Sequence, residues 1–205
     1  MRSLWKLDQP LLLASTSATR LQLLQSAAIP VETRSPDVDE RATEASLHER
    51  NMTPDLVALE LASAKGAQVS RQMPDRLVVA ADQTLALGAD QFHKPDNADE
   101  ARAQLLKLSG RTHALHSGVV CFRNGQRLFA HVESAHLTMR ELGPAFMDAY
   151  LSAAGDAVTR SVGGYQLEGL GVHLFERVEG DHSTILGLPL LPLLAYLRTA
   201  GAVEA

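Results

Sequence analysis

Apolar and polar positions fall along this chain in blocks of different period, and the periods predict the elements. Residues 11–14 ("LLLA") form an unbroken apolar run of strand length. Ser15-Thr16-Ser17 follows, and a helix opens at Ser17 or Ala18 with Leu21, Leu24 and Ala28 on one face, until Pro30 ends it. "VETRSP" predicts a second strand, and the polar stretch 37–52 a loop or a short helix. Thr53-Pro54 pairs a hydroxyl N-cap with proline at the first helical position, so a helix runs from there to about Gln72. "RLVVAAD" is a buried strand with Asp82 at its C-terminal end, and "LALGADQFHKP" a strand and a turn. Asn97 with Glu100 three residues on is a capping box for a helix that ends near Leu108. Asn124-Gly125 between two β-type runs predicts a tight hairpin. Residues 144–154 are helical. "GVHLFERVEGDHSTILG" predicts a second hairpin turning at Glu179-Gly180-Asp181, "LPLLPLLAYLRTA" a closing apolar helix, and "GAVEA" a frayed tail. Two hairpins break any strict βαβ rhythm, so the fold class is α/β with a mixed sheet.

Composition narrows this picture. A chain of 205 residues with 45% hydrophobic content builds one domain, or two small lobes around one core. Aromatics are 4%, so Leu, Val and Ala supply the packing. A net charge of −5 argues against a protein that coats a nucleic-acid polymer, where phosphate neutralisation dominates affinity. It leaves room for a small anion held by a local cluster of cations. The single cysteine, Cys121, allows no intrachain disulfide and points to a reducing compartment. The first apolar run is too short for a signal peptide, and no stretch approaches the roughly 20 residues of a membrane span, so a soluble cytoplasmic protein is expected.

The candidate chemistry begins at the first strand-to-helix turn. A helix N-terminus carries unpaired N–H groups and partial positive charge, which suits an anion. Ser15, Thr16 and Ser17 can add hydroxyl donors, and Arg20 a fork of N–H groups matched to phosphate. The bland alternative is that Ser17 caps the helix and Arg20 is solvated. There is no Walker loop. Asp82 at a strand end, with Asp39 and Glu40 after the second strand, can hold Mg²⁺ or activate a water; singly, each also reads as a cap or a surface charge. Arg20, Lys65 and Lys94 with Asp82 and Glu40 would suit a triphosphate and its metal, although spacing alone does not bring them together. Eight histidines form no zinc pattern: His113 and His116, three apart in a strand, face opposite ways, and neither HExxH nor CxxC occurs. Cys121 reads as a core residue and Gly163-Gly164 as a tight turn.

Taken in order, "LASTSATR", "VDE" at 38–40, "LASAKGA", "AADQTL", "HKP", "LSGRTHALHSGVV", "GGYQLEG" and "HSTILGLPL" resemble the Maf family of nucleotide pyrophosphatases, also described as septum-formation inhibitors. The ordered set spans nearly the whole chain. The resemblance implies one Maf-like domain over residues 1–205, with a two-lobed Maf/ITPase-like fold, a long bent mixed β-sheet flanked by helices, and a nucleotide-binding cleft between the lobes. It implies hydrolysis of a nucleoside triphosphate to the monophosphate and pyrophosphate with a divalent cation (Mg²⁺, Mn²⁺ or Co²⁺). By that likeness Asp82 matches the general base and Glu40 an active-site carboxylate; the chemistry of the products also lets Glu40 and Asp82 hold the metal, a role that competes with the base role of Asp82. Lys65 and Lys94 match the cleft lysines, and Ser15, Ser17 and Arg20 the phosphate loop. Gln83, which follows the general base, and Gln166 and Glu168, which lie in the base-reading segment, are the expected base-binding residues. The partner implied is a small-molecule nucleotide, and the chain is expected to be a homodimer. Thr19 departs from the paired arginines of many members. Gln83 and Glu168 look like the branch acting on 7-methyl-GTP and unlike the branch acting on dTTP and UTP, yet the tryptophan usual in the former is absent. A nucleotide-binding regulator of septum formation with little turnover is the alternative reading.

Overall fold

The computed structural model describes residues 4–204. Its centre is a seven-stranded mixed sheet. The short first strand, β1 (Leu11–Leu13), lies parallel between β2 (Val31–Thr33) and β3 (Val78–Leu87). The sheet continues antiparallel through β5 (Thr112–Arg123), β6 (Gln126–Met139) and β7 (Phe175–Glu179), and β4 (Asp90–Phe92) folds back on the end of β3. The mixed sheet flanked by helices agrees with the expected fold class.

Local chemistry explains most element boundaries. Ser17 caps α1 (Ala18–Ser26) by accepting from the Arg20 N–H, and Asp39 caps α2 (Glu40–Glu49) through Ala42. Pro54 opens α3 (Pro54–Gln72), and Asn97 caps α4 (Ala98–Leu108) through the Glu100 N–H. The Glu100 carboxylate reaches back to the N–H of Asp96, one residue earlier than a strict capping box. Asn124 (φ 55°) and Gly125 (φ 71°) both have positive φ, the requirement of a two-residue type I′ hairpin. α5 (Pro144–Ala154) opens on a proline, and α7 (Leu190–Thr199) is the closing apolar helix.

Three expectations are corrected. β3 does not end at Asp82 but runs to Leu87, because "QTLAL" goes on pairing with β5 and β4; Asp82 is therefore mid-strand. The expected second hairpin does not form. β7 pairs with β6, and beyond it Asp181 caps a four-residue helix, α6 (His182–Ile185). The tail is not frayed over residues 201–204: Val203 bridges Trp5, and Ala202 and Val203 are buried; Ala205 lies outside the described residues. The 37–52 stretch, left open between loop and helix, contains α2.

The sheet buries both faces. α3 covers one, packing Ala62 and Val69 on Val78, Ala80, Val120 and Phe122. On the other, α1 and α7 cover Leu11, Leu13, Val79 and Ala81, while α4 and α5 cover Leu85, Leu115 and Leu137. Gln83 stands on that face between the two apolar clusters. α3 lies close to the sheet because two glycines allow it. A Cβ on Gly118 would sit 2.7 Å from Leu59 Cα, and one on Gly66 would sit 2.8 Å from the Phe122 ring. Among the described residues no helix is long and apolar enough to cross a membrane.

Candidate functional site

The close approach of α3 decides where Lys65 goes. Its ammonium lies between two carboxylates, 2.5 Å from Asp82 Oδ2 and 3.0 Å from Glu40 Oε1. The Lys65 and Asp82 side chains are only 8% and 12% exposed, whereas Glu40, the first residue of α2, is 54% exposed. Asp82 Oδ1 accepts from the Gln83 N–H at 2.7 Å. The buried end of the site is thus fixed, and the Glu40 end is open to solvent.

Arg20 joins from α1. It is half-buried, donating from Nε to the Gly187 carbonyl (2.8 Å) and from Nη1 to the Ala81 carbonyl (2.7 Å). Burial pushes its pKa down, and the charges of Asp82 and Glu40 oppose that shift. Arg20, Glu40, Lys65 and Asp82 therefore form one electrostatic cluster, assembled from α1, α2, α3 and β3. Ser15 and Ser17 stand at its edge, with oxygens turned to the local backbone: Ser15 Oγ accepts from Ser17 N–H (3.1 Å), and Ser17 Oγ from Arg20 N–H (3.3 Å). Each hydroxyl keeps its proton to donate.

Lys94 is not part of that cluster. It is exposed on the segment after β4 and lines a neighbouring groove of about 890 Å³, together with Arg41, His48, His93, Gln104 and Lys107. Arg41 follows Glu40 directly on α2, so the groove opens beside the exposed end of the cluster.

The remaining predicted residues separate. Gln83 faces away from Asp82, as neighbours on a strand must. Its amide nitrogen donates to Ser117 Oγ (2.9 Å), Thr184 O (3.1 Å) and Ile185 O (3.0 Å). Both N–H groups of the amide are engaged there. Gln166 and Glu168 lie in a loop pinned by Tyr165, whose hydroxyl meets His113 Nε2 at 2.6 Å in the core. The Gln166 carbonyl accepts from the N–H groups of Gly169 and Gly171, and the exposed Glu168 accepts from the Thr19 hydroxyl at 3.2 Å. The loop carrying Glu168 thus faces the first turn of α1. His113 is buried while His116 pairs with Ser134, as their spacing required. Cys121 is buried and its thiol is pushed up, which leaves it unreactive.

Sequence reasoning missed the partners that hold this arrangement. Ser117, Glu133, Thr184 and Gly187 had no assigned role. Ser117 and Glu133 were visible only as polar positions inside β-type runs, and Gly187 only as the glycine of "TILGLP".

A divalent metal fits the donor set. Glu40 and Asp82 already share one cation, the Lys65 ammonium, so their oxygens can serve a common ion. Among the described residues no group of three or more His, Cys, Asp and Glu could hold a metal alone. Two carboxylates suit Mg²⁺, which completes its shell with water and substrate phosphate.

The Maf-like protein family model matches residues 10–200. The chain belongs to the Maf-like family. Its curated relatives include a nucleoside triphosphate pyrophosphatase of Rhodopseudomonas palustris (strain BisB18), 52% identical over 196 residues, covering 96% of each chain. A 7-methyl-GTP pyrophosphatase of Brucella abortus is 50% identical, covering 95% of this chain and 98% of its own. One of the same description from Mesorhizobium japonicum is 50% identical, covering 97% of this chain and all of its own. This Maf-like chain therefore resembles proteins of both descriptions over its whole length.

Proposed function

We propose that this Maf-like protein is a nucleoside triphosphate pyrophosphatase, cleaving between the α- and β-phosphates. The observation that carries the reading is the buried Asp82–Lys65 pair, with Glu40 at its open end and Arg20 in electrostatic reach. Phosphoryl transfer needs an aligned nucleophile and neutralised phosphate charge, and little else from the protein. Asp82 orients a water and takes its proton as the water oxygen attacks the α-phosphorus. The bond from that phosphorus to the bridging oxygen breaks, and its electron pair leaves with pyrophosphate. Arg20 and Lys65 balance the charge on the phosphates, the Ser15 and Ser17 hydroxyls donate to their oxygens, and Lys94 approaches from the groove. Glu40 and Asp82 would hold the divalent metal, which when bound neutralises phosphate charge and polarises the reacting centre.

The base is read by Gln166 and Glu168. A carboxylate at Glu168 accepts from the N1–H and exocyclic amino group of a guanine-type base, which favours 7-methyl-GTP over dTTP and UTP. Relatives at 50% identity are named for 7-methyl-GTP, and others at 50–53% for nucleoside triphosphates in general. Thr19, in place of a family arginine, leaves Glu168 with a neutral neighbour, so its charge stays available to the base. The test is a panel of 7-methyl-GTP, GTP, dTTP and UTP with Mg²⁺, Mn²⁺ or Co²⁺, following monophosphate and pyrophosphate. We expect 7-methyl-GTP to rank first, and Glu168→Gln to shrink its lead over UTP at least tenfold, as the loss of a charged hydrogen-bond partner costs about 1.5–3 kcal/mol. An unchanged ranking in Glu168→Gln would remove that residue from base reading.

A further inference from the structure

We propose that Glu44 is a positioning residue: it clamps α2 to the wall that carries Lys94, and so holds Glu40 in place over Lys65. The proposal rests on the reading of Glu40 as an active-site carboxylate.

Apolar packing holds α2 near its C-terminal end. Leu47 is the buried residue of this helix, and it packs on Met52, Val57 and Leu61. The first turn, with Glu40, depends on polar contacts. The Arg41–Asp96 pair (3.5 Å) adds little, since its side chains are 88% and 69% exposed. Glu44 differs. It stands four residues after Glu40, on the same face of the helix, and its side chain is only 14% exposed. A carboxylate so far withdrawn from water needs partners. It also carries the same sign of charge as a phosphate, so its place beside the cluster is not that of a phosphate contact.

The partners come chiefly from the opposite wall of the groove. Glu44 Oε1 accepts from the Gln91 amide, and Oε2 lies 3.4 Å from His93 Nδ1. His48, one turn further along α2, places Nε2 3.9 Å from Oε1. A carboxylate only accepts, so Gln91 must present its nitrogen to it. That wall is itself fixed. Phe92 and Pro95, which flank His93 and Lys94, are buried. Gln104 of α4 donates to the His93 carbonyl at 3.0 Å, and the Asp96 N–H donates to Glu100 at 2.9 Å. Glu44 thus ties the loosely held wall to the fixed one, at the residue directly before Lys94.

The consequence for the site is geometric. Glu40 reaches Lys65 at 3.0 Å from an exposed position at the start of α2. Without the Glu44 contact, α2 is pinned chiefly at Leu47, and Glu40, two turns away, swings with the helix. The clamp therefore fixes where Glu40 stands relative to Lys65 and to Lys94 across the groove.

The experiment is a double-mutant cycle on kcat/KM for 7-methyl-GTP and UTP with Mg²⁺. It compares the wild type, Glu44→Ala, Glu40→Ala and the pair, each first shown to be folded by its urea midpoint. Glu44→Ala is expected to lower kcat/KM about tenfold for both nucleotides, within the roughly hundredfold that a shift of about 1 Å can cost. Once Glu40 is gone, adding Glu44→Ala should cost less than about twofold, because the group it positions is absent. If Glu44→Ala fails to fold, Gln91→Leu, which removes the donor from the fixed wall, carries the same cycle. Wild-type kcat/KM in folded Glu44→Ala, or the same loss with and without Glu40, would overturn the clamp and leave the reading of Glu40 standing. A loss confined to one nucleotide would move Glu44 to base recognition and overturn the clamp as well. If Glu40→Ala turns over like the wild type, the reading of Glu40 falls and takes the clamp with it.

Discussion

Removing Lys65 would leave Asp82 buried and without its cation. Breaking one partner out of a buried ion pair costs about 3–5 kcal/mol, because the remaining charge has lost its compensation. Lys65→Met should therefore lower the unfolding free energy by about that amount in urea titrations at pH 7. The same substitution at the exposed Lys94 should change it by less than about 0.5 kcal/mol. His113 makes a second prediction at this scale. Burial lowers its pKa to about 4, from an ordinary value of 6.5. The unfolded chain takes up this proton near pH 6.5, and the folded chain only near pH 4. Stability is thus at its full value above about pH 6.5, falls as pH drops from there to about 4, and levels below. Over that window His113 accounts for a loss of up to about 3 kcal/mol. Urea midpoints at pH 7.5 and 4.5 check this: His113→Leu should flatten the difference, and an equal slope in the variant would exclude His113 as its source. Individual residue types were legible as candidates in the sequence, since Asp82, Glu40, Lys65 and Arg20 all meet in one cluster. The anchoring of the Gln83 amide nitrogen was not, because its partners lie 34 to 102 residues away.

Elements were legible where their signals are local. The helix start at Pro54, the Asn97 cap and the Asn124-Gly125 turn each depend on a few adjacent residues, and all three elements form there, although the Thr53 hydroxyl makes no cap hydrogen bond and Glu100 returns to the N–H of Asp96 in place of Asn97. The end of β3 was not legible. Asp82 looks like a strand terminus in a one-dimensional pattern, but it is a buried charge paired to Lys65 across the α3 interface. Likewise "VEGDHSTILG" carries turn residues suited to a hairpin, and the competing Asp181 cap turned it into a helix. The α3 interface makes its own prediction. Gly118→Ala adds a methyl against the backbone of Leu59 and Ala58, neither of which can yield as a flexible side chain would. It should cost about 1–3 kcal/mol, the usual penalty of overpacking, and should also reduce turnover by moving Lys65 away from Asp82. Denaturation and steady-state kinetics on the one variant check both halves; loss of stability with unaltered turnover would separate α3 packing from the site.

At the scale of the whole molecule, the site is a product of topology. Residues at 20, 40, 65 and 82 converge because α1, α2, α3 and the middle of β3 meet at one place beside the mixed sheet. No periodicity in the chain encodes that meeting; the ordered motifs pointed to it only through likeness to a family. In the proposed chemistry this cluster, and not the groove beside it, drives attack at the α-phosphorus. The most direct test is hydrolysis of 7-methyl-GTP in ¹⁸O-labelled water with Mg²⁺, by the wild type and by Asp82→Asn. Attack at the α-phosphorus puts ¹⁸O in the nucleoside monophosphate alone, and Asp82→Asn should lower kcat about 10³-fold, within the range of a lost general base. Label in the pyrophosphate, or turnover of Asp82→Asn near that of the wild type, would contradict it.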